Sequence, residues 1–153
     1  MALLNIGDKA PEFMGENQFG HEISLRSYKG RKVILYFYPK DSTPGCTAEA
    51  CNLRDNNHML LKKGFIIIGV SADSEASHKK FAEKYSLPFS LLADTGKSII
   101  NSYGVWGPKK FLGKTFNGIN RTTFVISEEG IIEKVFAKVN TKDHAAQILE
   151  EYK

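Results

Sequence analysis

Thiols are scarce in this chain: 153 residues contain two cysteines, alongside one tryptophan, three methionines and five prolines. Two cysteines exclude a disulfide-stapled scaffold. A bridge between positions as close as Cys46 and Cys51 would also constrain little unfolded chain. So few thiols point to catalysis or redox sensing. No apolar run approaches the length of a membrane span, so no membrane partner is expected. The first residues, Met1 to Lys9, lack a basic start and a long apolar stretch. No signal peptide is therefore expected, and the cytoplasm is the expected compartment. There is no C-x-x-C pair, no glycine-rich phosphate loop, no internal repeat and no low-complexity tract. A charge excess is missing too: 21 Lys and Arg against 17 Asp and Glu leave a net charge of +4. The basic residues come as scattered pairs such as Arg31-Lys32 and Lys109-Lys110, so nucleic acid is not an expected partner. His21, His58, His78 and His144 show no metal-ligand spacing with each other or with the cysteines. No metal and no cofactor are expected.

The apolar pattern is that of an α/β protein. Val33–Tyr38 and Phe65–Val70 are short continuous runs, as in strands buried on both faces. The stretch Pro44–Lys63 between them reads as a helix, which makes a parallel strand–helix–strand unit. Asp73 or Ser74 caps a second helix that runs to about Tyr85, before Pro88. A weak strand over Pro88–Leu92 and a short helix from Lys97 to Tyr103 follow. Gly104–Asn120, with four glycines and one proline, reads as a long surface loop. Thr122–Ile126 and Ile131–Val139 read as an antiparallel hairpin turning at Glu128-Glu129-Gly130. A final helix carries Ala145, Ile148, Leu149 and Tyr152 behind an Asn140 or Thr141 cap. The segment before Tyr28 has room for a small hairpin. The expectation is one domain with a central mixed sheet flanked by helices, over residues 1–153.

Within this frame Cys46 occupies a special place. Thr43 is a good N-cap and Pro44 suits the first helical position, so Cys46 falls third in the helix, among N–H groups without intrahelical partners. Those donors and the helix dipole favour a thiolate. Gly45 keeps bulk away from the sulfur. The loop Pro39–Gly45 lies beyond the carboxyl end of a parallel strand, where ligand sites form in such sheets. If Thr122–Ile126 is the antiparallel neighbour of that strand, Arg121 arrives beside Cys46. Three functions remain open on these residues: a peroxidase, a thiol–disulfide oxidoreductase acting on protein disulfides, and a redox sensor whose helix melts on oxidation.

Pro39, Thr43 and Cys46 match the P-x-x-x-T-x-x-C signature of peroxiredoxins. The string Tyr36–Asp55, with Cys51 five residues after Cys46, resembles the bacterioferritin-comigratory, or peroxiredoxin Q, subfamily. Gly7–Phe13, Tyr103–Trp106 and Gly118–Phe124 resemble its other segments. The resemblance implies a thioredoxin-like fold and a peroxidase acting on hydrogen peroxide and organic hydroperoxides, reduced by thioredoxin or a similar dithiol protein. It implies Cys46 as the peroxidatic nucleophile, which becomes a sulfenic acid, and Cys51 as the resolving thiol. Thr43 would hydrogen-bond the thiolate or the peroxide, Arg121 would hold the thiolate ionised, and Pro39 would shield the sulfur from water. Glu49 would orient Arg121 or, as an alternative, serve the helix dipole from the first turn. Residues five apart on an intact helix have Cα atoms about 8–9 Å apart, whereas a disulfide needs less than about 7 Å. Resolution therefore requires the first turns of the helix to unwind. A resolving thiol in the same helix removes the need for a dimer, so a monomer is expected.

Overall fold

The structure, a computed structural model, describes residues 3–153. Five strands form the central sheet: β3 (Lys32–Phe37), β4 (Phe65–Ser71), β5 (Ser90–Ala93), β8 (Thr122–Ile126) and β9 (Ile132–Phe136), in the order β5-β4-β3-β8-β9. β3, β4 and β5 are parallel, whereas β8 runs antiparallel to β3 and β9 antiparallel to β8. Two short strands, β1 (Met14–Glu16) and β2 (Glu22–Ser24), make the small N-terminal hairpin.

Alternation along β3 divides the core. Ile34, Tyr36 and Tyr38 point into one apolar layer with Cys46, Ala50 and Leu53 of α1 (Pro44–Asp55), Leu60 of α2 (Asn57–Lys62), Phe81 of α3 (Glu75–Tyr85) and Ile148 of α5 (His144–Glu150). Val33, Leu35 and Phe37 point into a second layer with Phe13, Leu25, Tyr103, and Ile99 and Ile100 of α4 (Ser98–Ser102). A strand flanked by helices on both sides has no polar face to show, which is why β3 reads as an unbroken apolar run.

Three local expectations change. Gly104–Asn120 is not a loop: β6 (Trp106–Phe111) and β7 (Lys114–Ile119) pair as an antiparallel ribbon. Its two-residue turn, Leu112-Gly113, has positive φ at both positions, 51° and 78°, the conformation that suits a tight hairpin. Leucine rarely takes that position, so the turn carries no familiar signal. The helix expected over Pro44–Lys63 is interrupted at Asn56, whose Nδ2 donates to the carbonyl of Asn52 at 2.8 Å. Such a bond competes with the backbone ladder and divides the segment into α1 and α2. The last helix is preceded by Asp143 rather than by Asn140 or Thr141. Asn140 instead makes a turn, with its Oδ1 accepting from the Lys142 N–H at 3.2 Å. Ser74 does cap α3, accepting from the Ser77 N–H at 3.1 Å.

Gly69 in β4 sits against Tyr36 of β3 and Leu91 of β5. A Cβ there would lie 2.8 Å from both Leu91 Cδ2 and Tyr36 Cζ. Gly69→Ala is expected to destabilise the fold by about 2 kcal/mol through overpacking, measured as a lower denaturant midpoint. A midpoint equal to the parent's would show that the Tyr36 ring moves aside freely.

Candidate active site

β3 delivers the chain to the site and α1 carries it onward. The loop between them is fixed by its own buried acid. Asp41 Oδ1 accepts from the Tyr38 hydroxyl at 2.6 Å, and its Oδ2 accepts from Ser77 Oγ at 2.8 Å. His78 Nδ1 lies 2.7 Å from the same Oδ2, and His78 Nε2 lies 3.0 Å from the Leu92 carbonyl. Both ring nitrogens thus face oxygens, and His78 bridges Asp41 to the end of β5. The Asp41 N–H in turn donates to Asp73 Oδ2 at 2.8 Å. Asp41, Asp73 and His78 could together offer ligand atoms to a metal ion. The oxygens that face inward already accept from Ser71, Ser77, His78 and the Asp41 N–H, so hydrogen bonding accounts for their grouping. The sequence marked Asp73 only as a candidate helix cap and did not link it or His78 to Asp41, which lies more than thirty residues away.

Thr43 occupies the N-cap position with extended backbone, and its carbonyl accepts the first helical bond, from the Thr47 N–H at 2.8 Å. Its side chain makes no capping bond; the hydroxyl donates to the Lys40 carbonyl at 2.8 Å. The proton is thereby directed backwards along the loop, and the hydroxyl oxygen is left as an acceptor. Pro39 is half-buried where the loop leaves the sheet. Cys46 is the third residue of α1 and is 1% exposed.

The antiparallel pairing of β8 with β3, with Thr122 opposite Phe37, brings Arg121 to the same end of the sheet. Arg121 Nη2 donates to Cys46 Sγ at 3.3 Å, and Nη1 donates to Glu49 Oε1 at 2.6 Å. A Cβ on Gly45 would lie 3.1 Å from Nη2, so the absent side chain at this position makes room for the guanidinium. Partial burial works to lower the pKa of Arg121, but the negative charges of Cys46 and Glu49 outweigh it and hold the guanidinium more firmly protonated. Glu49 is the sixth residue of α1 and wholly buried, so it does not serve the first turn of the helix. It faces Arg121.

Burial pushes the Glu49 carboxyl up to about 7, against the charge and hydrogen bond of Arg121. Its Oε2 has no hydrogen-bond partner among the described residues and lies 3.7 Å from His144 Nε2. Burial pushes His144 down to about 4, and the Arg121 charge adds to this against a bond to Gln147. The neutral ring has a defined tautomer. Gln147 Nε2 donates to the Lys138 carbonyl, so its Oε1 faces His144 Nδ1, which carries the hydrogen. Nε2 then accepts from the Thr123 hydroxyl at 2.8 Å. Lys109 of β6 also borders the site and donates to the Ile119 carbonyl at 2.8 Å. Desolvation lowers its pKa, as does the Arg121 charge, with Cys46 opposing. His144 and Lys109 were not legible as site residues, since neither the burial of Glu49 against His144 nor the β6–β7 ribbon leaves a spacing signal. Cys51, half-buried, lies on the same unbroken helix as Cys46, and both are free thiols.

Residues 6–135 match the model of the AhpC/TSA family. The chain is 45% identical to peroxiredoxin Bcp of Bacillus subtilis over 150 residues, covering 98% of this chain and 96% of that protein. It is 44% identical to peroxiredoxin Bcp of Escherichia coli over 146 residues, with 95% and 94% covered. Among solved structures it is similar to the bacterioferritin comigratory protein of Xanthomonas campestris, described there for its alkyl peroxide reduction. The TM-score is 0.85, with 34% identity and coverage of 91% and 88%.

The two buried titrating groups act on stability in opposite directions. Glu49 binds its proton up to about 7 when folded but only to 4.5 when unfolded, so its contribution to stability falls as pH rises through that window. His144 stays neutral when folded down to about 4, whereas its unfolded value is 6.5, so its contribution falls as pH drops through that range. Glu49→Gln removes only the first effect. Relative to the parent, its unfolding free energy at about pH 8 should gain about 2 kcal/mol over its value at about pH 5. Parallel stability–pH curves for the two proteins would show that the Glu49 carboxyl titrates in its ordinary range.

Proposed function

The chain belongs to the AhpC/TSA family and is a peroxiredoxin of the Bcp kind, a thiol peroxidase that reduces hydroperoxides; from that premise we propose that Cys46 is its peroxidatic nucleophile and Cys51 its resolving thiol. One observation carries the first assignment: the Arg121 guanidinium, braced by Glu49, donates to Cys46 Sγ at 3.3 Å.

The thiolate attacks the terminal oxygen of the hydroperoxide in line with the O–O bond. An S–O bond forms, the O–O bond breaks, and the departing alkoxide or hydroxide takes up a proton to leave as alcohol or water. Charge moves from sulfur to oxygen during this step. Arg121 donors fixed in place beforehand serve both ends of that movement. The Thr43 hydroxyl, with its proton committed to Lys40, offers its oxygen to the peroxide O–H and so orients the substrate. Pro39 limits water at the sulfur. The product is a Cys46 sulfenic acid and no cofactor takes part. The Cys51 thiol then attacks that sulfur, releasing water and forming a disulfide. Because α1 runs unbroken from Pro44 to Asp55, the turns between the two cysteines unwind for this bond to form. Thioredoxin or a similar dithiol protein reduces the disulfide, and α1 refolds.

Both thiols belong to one helix, which supports a monomeric cycle. No helix among the described residues is long and apolar enough to cross a membrane. We place the protein in the cytoplasm, where a dithiol reductant is at hand.

One equivalent of hydrogen peroxide should remove two hydrogens from the intact mass of the reduced protein within the mixing time, and none from Cys46→Ser. Oxidation no faster than that of an ordinary free thiol would favour disulfide exchange or sensing instead. Cys51→Ser is expected to consume one equivalent, over-oxidise, and lose turnover with thioredoxin. Thioredoxin-coupled turnover at the parent rate would remove Cys51 from the cycle. Arg121→Ala should slow sulfenic acid formation by at least about a hundredfold, the scale of losing one fixed donor at developing charge.

A further inference from the structure

Asn52 follows the resolving Cys51 directly, and its side chain reaches across to the start of α5. Its Oδ1 accepts from the backbone N–H of Ala145 at 2.8 Å, and its Nδ2 donates to the carbonyl of Lys142 at 3.3 Å. Ala145 is the second residue of α5, in the first turn, where N–H groups lack intrahelical partners. Asp143, at the capping position, makes no side-chain bond to them. The cap of α5 is thus supplied from another helix, by Asn52. The backbone carbonyl of Asn52 also closes α1, accepting from the Asn56 N–H at 3.2 Å and from Asn56 Nδ2 at 2.8 Å. On the other side of Cys51, Glu49 Oε2 approaches His144, the first residue of α5, at 3.7 Å. The turn of α1 that carries Cys51 is therefore held to the first residues of α5 through Asn52, while Glu49 approaches His144 without a hydrogen bond.

We propose that Asn52 is the latch of the resolving step: its two hydrogen bonds to Lys142 and Ala145 hold the Cys51 turn of α1 against α5 and set how fast Cys51 reaches oxidised Cys46. The proposal rests on Cys51 being the resolving thiol. The step it governs is the condensation of the Cys51 thiol with the Cys46 sulfenic acid, which forms one S–S bond and releases one water. Asn52 touches neither sulfur and acts through the helix, so it is a positioning residue. While the latch holds, the sulfenic acid persists and stays open to a second peroxide; when it releases, the disulfide forms. Asn52 therefore sets the partition between resolution and over-oxidation.

The test separates the two chemical steps by rapid mixing with hydrogen peroxide and quenched intact-mass measurement. In Asn52→Ala, sulfenic acid should form at the parent's rate. The disulfide should form roughly tenfold faster, the scale expected for losing one or two net hydrogen bonds. The over-oxidised fraction at excess peroxide should fall accordingly. Asn52→Leu keeps the approximate shape but loses both hydrogen bonds, and should also resolve roughly tenfold faster than the parent; it decides the matter where the alanine variant does not fold. Disulfide formation at or below the parent's rate in both folded variants, or in Asn52→Leu alone where only it folds, overturns the latch. The mixing experiment on Cys51→Ser is distinct from this: there a disulfide-free cycle with unchanged turnover removes the resolving role itself.

Discussion

One guanidinium, shared between a sulfur and a buried carboxylate, is the interaction on which the rest of the site depends. Left alone, Glu49 would be an uncompensated charge with no exposure to water, an expensive arrangement. Arg121 compensates it with one nitrogen and spends the other on Cys46. The planar fork fixes both directions at once, which a lysine at this position could not do. Buried ion pairs are weak sources of stability, so the value of this one lies in orientation. The carboxylate holds the guanidinium in the single pose that meets the sulfur.

The fold exists at this end of the sheet to bring those groups together from distant stretches of chain. A parallel strand opens α1 and so puts Cys46 at a helix N-terminus. An antiparallel neighbour begins where that strand ends and so delivers Arg121, 75 residues later. The loop joining β3 to α1 could splay under this arrangement, but Asp41 ties it down to Tyr38, Ser77 and His78. Asp73 takes its backbone N–H. Sites of this kind need supporting contacts behind the groups that react, because small displacements of the donor weaken its hold on developing charge.

How much of this was legible follows from which interactions are local. The Pro44–Cys46 turn was readable because capping chemistry depends on residues adjacent in sequence. The Arg121 placement was readable because strand direction alone decides it. The β6–β7 ribbon was missed because Leu112 occupies a turn position that glycine or asparagine usually signals, and the glycines around it look like loop. The break at Asn56 depends on one side chain bonding back to Asn52, which propensity does not register. The roles of Asp41, His78 and His144 depend on contacts between segments 21 to 37 residues apart, and no pattern of spacing encodes those. Glu49 shows the boundary well. Its partnership with Arg121 could be expected, but its complete burial could not, and burial is what moves its proton.

That buried carboxyl also bears on how a helix can be firm enough to activate a thiol and yet loose enough to release it. In the proposed cycle Cys46 reacts from the first turn of an intact α1, which is the helix the structure shows. Unwinding the turns between Cys46 and Cys51 carries Glu49 out with them, because it lies between the two. In the folded state its Oε2 has no partner and its carboxyl is desolvated. Exposure to water recovers that penalty and offsets part of the packing lost from Cys46 and Ala50 in the core layer. In the proposed cycle oxidation would act in the same direction: a Cys46 sulfenic acid lacks the negative charge that pairs with Arg121, so the guanidinium would hold the first turn less tightly. In that proposed cycle the cost of burying Glu49 and the charge removed by peroxide would add, and the helix would open after the chemistry that needs it intact.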